Sequence, residues 1–224
     1  MQTGRYDNVI MQKVAFFHSL NMPIVKNDNW IRKIFNIYYK KLNSLPRRQD
    51  KLADVQINTR VNQILDFDLI GQLRWMESCA NLIGSKVVFS HNDITKRNIL
   101  IRKDCDLAYD RVVIIDFGDC FQNYRAFDVA DFLRCKSSNY ALNDENKYQE
   151  FTYSEEQIRE LLRSYLTAYQ THRKGNVWKE EEVEQLLYEV HFFLLLSDLM
   201  TIMYITLSTE KPIPCPESWV SPDK

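Results

Sequence analysis

The sequence predicts an α+β fold, mostly helical, with a small central β-sheet. Three observations lead there. On both sides of the middle, apolar residues recur at helical spacing over long stretches. The middle itself holds three short β-branched runs, residues 86–89, 98–101 and 112–115, each bounded by polar residues and read as buried strands. Finally, 224 residues with 45% hydrophobic content can bury one sizeable core, so the chain is taken as a single domain over 1–224.

The elements follow in order. Val9, Ile10, Val14, Phe17 and Leu20 predict an amphipathic helix over 7–20, ended by Asn21-Met22-Pro23. Asp28 is a candidate N-cap for a second helix through Trp30, Ile31, Ile34, Phe35, Tyr38 and Leu42. The polar stretch 45–58, with Pro46, reads as a surface loop. Ile64, Leu65, Leu69, Leu73, Met76 and Ala80 predict a long helix over 61–82, with Gly84 as its stop. After the three strands, with 102–111 as a polar connection, a helix is expected near 127–135 and a polar loop over 136–150. Ser154 with Gln157 reads as a capping box, opening a helix whose apolar face is Ile158, Leu161, Leu162, Tyr165, Leu166 and Tyr169. A last helix runs from about 178 to 207; its most apolar part, 190–207, carries His191 and Asp198, which favours a buried helix over a membrane span. The proline-rich 211–217 tail is expected to be extended.

Composition bounds the function. A formal net charge of -1 gives no bulk attraction for nucleic acid or an anionic membrane. Cys79, Cys105, Cys120, Cys135 and Cys215 are odd in number and form no CxxC pair, which points to reduced thiols in a cytoplasmic setting. The first residues, Met1 to Asp7, contain no apolar core of a signal peptide.

The chemistry concentrates at the strand ends. Asp93 follows one strand, Asn98 opens the next five positions on, and Asp116 closes the third. Any one of them reads most simply as a strand-end turn residue. Together, in this order, they form the donor set of phosphoryl transfer: a carboxylate to take the proton of an attacking hydroxyl, and hard oxygens suited to magnesium. His91 reads as a residue that fixes the loop by hydrogen bonds rather than by moving protons. Lys96 and Arg97 read first as surface charges on that loop, and Gly118 as the point where the backbone turns after Asp116.

His91-Asn92-Asp93 with Asn98, then Ile114-Ile115-Asp116-Phe117, resembles the catalytic loop and metal-binding strand of kinase-like phosphotransferases, a pattern shared by aminoglycoside phosphotransferases and choline/ethanolamine kinases. Asn123-Tyr124-Arg125-Ala126-Phe127-Asp128-Val129-Ala130 resembles the second signature of the choline/ethanolamine kinases, and Phe16-Phe17-His18-Ser19-Leu20-Asn21-Met22-Pro23 with Asn29-Trp30 is similar to their segment after the hinge. The resemblance spans about residues 11–140 and implies the C-terminal lobe of a protein-kinase-like fold. It implies transfer of the ATP γ-phosphoryl group to the hydroxyl of choline or ethanolamine, the first step towards phosphatidylcholine or phosphatidylethanolamine. Asp93 would be the base, Asn98 and Asp116 the Mg2+ ligands, and His91, Asp128 and Arg125 the residues that brace the loop, Arg125 by pairing with an acidic neighbour. ATP would be co-substrate, and the family's kinases often form homodimers.

The chain departs from that pattern in two ways. It has five glycines and no Gly-rich loop, so the ATP-cradling N-terminal lobe is expected to be missing. The amine pocket also differs. Gly118 and Asp119 replace a Glu and a Tyr, and Asp131-Phe132-Leu133-Arg134-Cys135 replaces N-H-F-x-E. Thr201 and Tyr204 stand where an aromatic pair would stack on the ammonium, a contact worth about 1–2 kcal/mol when desolvated. Tyr140 falls where the family has a pocket tyrosine, and Asp119 or Asp198 is a candidate partner for a primary ammonium, which would favour ethanolamine over choline. A reading from another class is a non-catalytic partner of a full-length relative.

Overall fold

The computed structural model describes residues 4–23, 40, 68–137 and 153–208. All but residue 40 of the helix expected over 28–42, the loop over 45–58, the start of the 61–82 helix, all but the first two residues of the 136–150 loop, and the tail lie outside the described residues. Where the sequence predicts one domain, the chain packs as two compact units, Met1–Trp30 with Ile83–Ser197, and Ile31–Leu82 with Asp198–Lys224.

In the first unit, α1 (Asp7–Ser19) buries Ile10, Met11, Val14, Ala15 and His18, one stripe at helical spacing. That stripe lies along α5 (Glu155–Arg173), which answers with Ile158, Leu161, Leu162, Tyr165 and Leu166. The capping box read at Ser154 is present: its hydroxyl accepts the Gln157 N–H at 3.3 Å, and the Gln157 side chain accepts the Ser154 N–H at 2.8 Å. Lys174, in the left-handed conformation at φ 51°, ends the helix.

The strands form two separate antiparallel ribbons rather than the single central sheet the sequence predicts. β1 (Val87–Ser90) pairs with β4 (Phe121–Tyr124), Val87 opposite Tyr124 and Ser90 opposite Phe121. β2 (Ile99–Ile101) pairs with β3 (Val112–Ile114), Ile99 opposite Ile114. Within the polar 102–111 connection the chain makes one helical turn, α3 (Ala108–Arg111). β4 leads directly into α4 (Arg125–Ser137), in which Ala126, Phe127, Val129, Ala130, Phe132 and Leu133 are all buried.

The last helix, α6 (Glu180–Ser208), is long and apolar enough over Glu180–Ile202 to cross a membrane by length and composition. In the first unit its residues to Ser197 bury a stripe of Val183, Leu186, Leu187, Val190, Phe193 and Leu196, and expose Glu184, Gln185, Tyr188 and His191. That is the pattern of a helix packed on protein along one side. In the second unit, α2 (Leu69–Ile83) buries Leu73, Met76 and Ala80, and Asp68 accepts the Gly71 N–H at 2.8 Å, satisfying a first-turn donor. Gly84, at φ 72°, follows the helix in the left-handed conformation that most favours glycine.

Candidate active site

The loop after β1 is held open by a residue whose side chain replaces the hydrogen bonds the backbone cannot make. Asn92 stands at φ 67°, a region that Asn tolerates better than most residues. Its amide donates to the Ser90 and Asp119 carbonyls at 3.2 and 2.8 Å, and its Oδ1 accepts from Asn123 Nδ2 at 2.7 Å. Beneath it, Asp128 in the first turn of α4 accepts the His91 N–H on Oδ2 and the Asn92 N–H on Oδ1, both at 2.7 Å. Asp128 is fully buried, so these donors offset the cost of taking its charge out of water. Ile94, also buried, anchors the chain on the far side of Asp93.

His91 links the two halves of the site. Its Nε2–H donates to the Ile115 carbonyl at 3.0 Å and its Nδ1 accepts the Asp93 N–H at 3.3 Å. The ring also packs edge-on against Phe117, which stacks on Phe17 of α1. The Asn98 carbonyl takes the Ile115 N–H at 2.9 Å, and Asp116 then assumes φ 65°. The turn the sequence places at Gly118 is present, the Cys120 N–H donating to the Phe117 carbonyl at 3.3 Å; the left-handed residue is Asp116, and Gly84 is the one described glycine with positive φ. Such a conformation costs an L-residue about 1–2 kcal/mol. The anchors on Ile115 and Phe117, one on each side, hold it.

Asp93 is half-buried, and Asn98 Nδ2 donates to its carbonyl at 3.0 Å and to its Oδ2 at 2.7 Å. Burial raises the Asp93 pKa above the ordinary carboxylate value. The Asn98 hydrogen bond and the nearby His91 and Arg97 side chains work against the rise, and Asp119 adds to it. A carboxylate so placed is oriented on one oxygen and more basic than usual, which suits it to take a hydroxyl proton. With its amide nitrogen spent on Asp93, Asn98 keeps an Oδ1 that accepts no hydrogen bond among the described residues. The exposed Asp116 carboxylate likewise makes no hydrogen bond or ion pair there. Two open, hard oxygens joined through the Asn98–Ile115 backbone bond fit a magnesium ion. They would hold it beside the base, where it would neutralise charge on phosphate oxygens.

The remaining candidates separate. Asp119 is exposed, holds Asn92 through its carbonyl, and lies near enough to act on Asp93. Tyr140 lies outside the described residues, and Tyr204 falls in the helical stretch of the second unit, its side chain also undescribed. Arg125, expected to brace the loop, instead turns to α6: its Nε and Nη2 bind the two Glu189 oxygens at 3.0 and 2.8 Å. The acidic neighbour is Glu189, and among the described residues the Arg125 side chain makes no hydrogen bond to the loop. Lys96 and Arg97 are both exposed.

Sequence reasoning missed Asn123, His18 and Glu189. β4 was missed because its two central residues are polar and yet buried, which hides any alternation. Glu189 left a signal: a carboxylate on the apolar stripe of a core helix needs a buried partner.

The family model for choline/ethanolamine kinase matches residues 1–214. The chain is 28% identical over 206 residues to a Rattus norvegicus choline/ethanolamine kinase, covering 88% of this chain and 49% of that protein. It is 30% identical over 201 residues to Mus musculus choline kinase alpha, covering 85% and 42%. A Plasmodium vivax ethanolamine kinase structure superposes with a TM-score of 0.64 at 18% identity, covering 91% of this chain and 53% of that one, which is a likeness of fold. The chain thus spans about half the length of the curated relatives it matches. With the match to the family model extending over nearly all of its length, the chain belongs to the choline/ethanolamine kinase family.

Proposed function

We propose that the chain is the lobe bearing the reacting loop of such a kinase, and that it transfers the γ-phosphoryl group of ATP to the hydroxyl of choline or ethanolamine. Asp93 takes the hydroxyl proton as the new O–P bond forms and the bond to the ADP oxygen breaks. Asn98 and Asp116 hold Mg2+. The observation that carries this reading is the pairing of Asn98 with Asp93: one side chain orients the base with its nitrogen and keeps its oxygen open for the metal. The odd number and scatter of the cysteines in the sequence is the ground for proposing a reducing, cytoplasmic setting. Family membership supports a homodimer, which light scattering would read directly.

The test follows phosphorus by NMR in the purified chain with MgATP and choline, ethanolamine or glycerol in turn. Product is expected from at least one amine and not from glycerol, and is lost in Asp93→Ala with the far-UV spectrum unchanged. No product from either amine at saturating MgATP, or retained turnover in Asp93→Ala, would overturn the reading.

A further inference from the structure

One buried carboxylate gathers three distant points of the first unit. Asp7, in the first turn of α1, is 1% exposed. Its Oδ2 accepts the Gly4 N–H at 2.8 Å and the Tyr153 hydroxyl at 2.7 Å. Burial, and then the bonded carboxylate, push the Tyr153 pKa up, so the phenol keeps its proton and donates it. Oδ1 is matched by charge alone: the ammonium of Lys136, near the end of α4, stands 3.0 Å away and is its one partner among the described residues. The corner is also too tight for a side chain at position 4, where a Cβ would overlap both the Lys136 ammonium and Asp7 Oδ1.

Lys136 has a second neighbour of like charge. The helix α4 packs on the single 3-10 turn Lys96–Asn98 of the reacting loop, and burial and then the Lys136 charge lower the Lys96 pKa. Two ammonium groups thus come together where the helix meets the turn, close enough to repel. We propose that Asp7 is a positioning residue for the reaction: by neutralising Lys136 it lets the last turn of α4 rest beside Lys96, and so keeps Asn98 where it orients Asp93. Two features favour this over a cap that serves α1 alone. The Gly4 and Tyr153 hydrogen bonds both fall on Oδ2, and the other carboxylate oxygen is given to Lys136. The turn that carries Lys96 is also short: the Asn98 N–H donates to the Thr95 carbonyl at 3.0 Å and the Asn98 carbonyl takes the Ile115 N–H at 2.9 Å, so a shift at Lys96 passes directly to the reacting side chains.

The test follows amide hydrogen exchange at Asn98 and Ile115 in the purified chain, with the β1–β4 ribbon as internal reference. Turnover is measured alongside and rests on the roles proposed for Asp93 and Asn98; the exchange measurement does not. Asp7→Asn keeps an oxygen for Gly4 and Tyr153 but removes the charge, and is expected to speed exchange at both amides by about 5- to 30-fold over the ribbon, the effect of a partly buried ion pair broken from one side. Removing the repulsion as well, in Asp7→Asn with Lys136→Met, should bring both amides back to within about twofold of the wild type. In turnover, kcat should fall in the single variant by a similar factor and recover in the double one, with KM for both substrates within about twofold throughout. Unchanged exchange in Asp7→Asn, equal acceleration in the ribbon, or a double variant no better than the single one would overturn the proposal. Should Asp7→Asn fail to fold, Gly4→Ala drives the same pair apart with both charges kept and should speed the same two amides; no acceleration there overturns the proposal equally. A wild-type chain without turnover counts against the proposed function and leaves the exchange result to judge Asp7.

Discussion

Replacing Glu189 by Ala should be among the most damaging single changes in the first unit. The Arg125 and Glu189 side chains are 4% and 1% exposed and meet in two parallel hydrogen bonds of 2.8 and 3.0 Å. Burial works against the Arg125 charge, but the hydrogen bonds and charge of Glu189 outweigh it, and the Arg125 pKa stands above its ordinary value. A guanidinium keeps its proton in proteins, so the charge stays when its partner is removed. Its Nη1 has no hydrogen-bond partner among the described residues, and Ser85 Oγ, 2.7 Å from Glu189, would lose its acceptor as well. Removing one member of such a pair costs about 3–5 kcal/mol, and at about 2–4 °C per kcal/mol for a chain of this size the melting temperature should fall by roughly 6–20 °C. Scanning calorimetry reads the loss. The control is the double variant Arg125→Met with Glu189→Leu, which removes both charges and should recover most of the stability. A fall of less than about 3 °C in Glu189→Ala, or a double variant less stable than the single one, would refute the account of this pair as a charge-satisfying contact.

Three further outcomes follow from single residues. Asp93→Asn should raise the melting temperature at pH 8. The folded chain holds the Asp93 pKa above its unfolded value, so the ionised carboxylate destabilises the fold above that pKa, and the difference should close as pH falls below the ordinary carboxylate range; thermal scans across pH read this directly. Asp116→Gly should be more stable than Asp116→Ala by about 1–2 kcal/mol in urea denaturation, since glycine adopts φ 65° freely, while both should lose Mg2+-dependent nucleotide binding in calorimetry. Ser154→Ala breaks the reciprocal capping box of α5 and should cost about 1 kcal/mol, seen as a lower urea midpoint with an unchanged slope.

The strand-end placement of Asp93, Asn98 and Asp116 was legible because it is local. Asp93, Asn98 and Asp116 each terminate or open a short apolar run, and a carboxylate in that position has few roles. The capping box and the stripes of α1 and α5 are also local, repeating within one or two turns. What the sequence hid is whatever depends on distant contacts. His18 sits on the apolar stripe of α1 and passes for core until Asp128 is placed against it, and Arg125 reads as a loop residue until α6 brings Glu189 to it. Backbone sign was hidden as well. The turn at Gly118 forms, but the positive φ falls two residues earlier on Asp116, where the hydrogen bonds at Ile115 and the stacking of Phe117 fix the backbone on both sides.

These hidden contacts explain why the legible ones can work. Asp93, Asp116, Asp119 and Asp128 crowd one region, and the strain shows in their surroundings: Cys120 is pushed up to about 12 by burial and then by Asp128, Asp119 and Asp116. Left to itself, such a loop would swing its carboxylates apart into water. Three restraints prevent it. Asp128 grips two peptide N–H groups from below, His91 ties the loop to the Ile115 carbonyl, and Asn98 holds Asp93 by backbone and side chain at once. The peptide N–H groups on Asp128 and the Asn98 amide on Asp93 orient these carboxylates without cancelling their charge, so the negative potential survives where Asn98 and Asp116 present their open oxygens. Repulsion that destabilises the free loop would thereby add to its attraction for a cation, as the proposed function requires, with the cost borne by buried contacts in α1, α4 and α5.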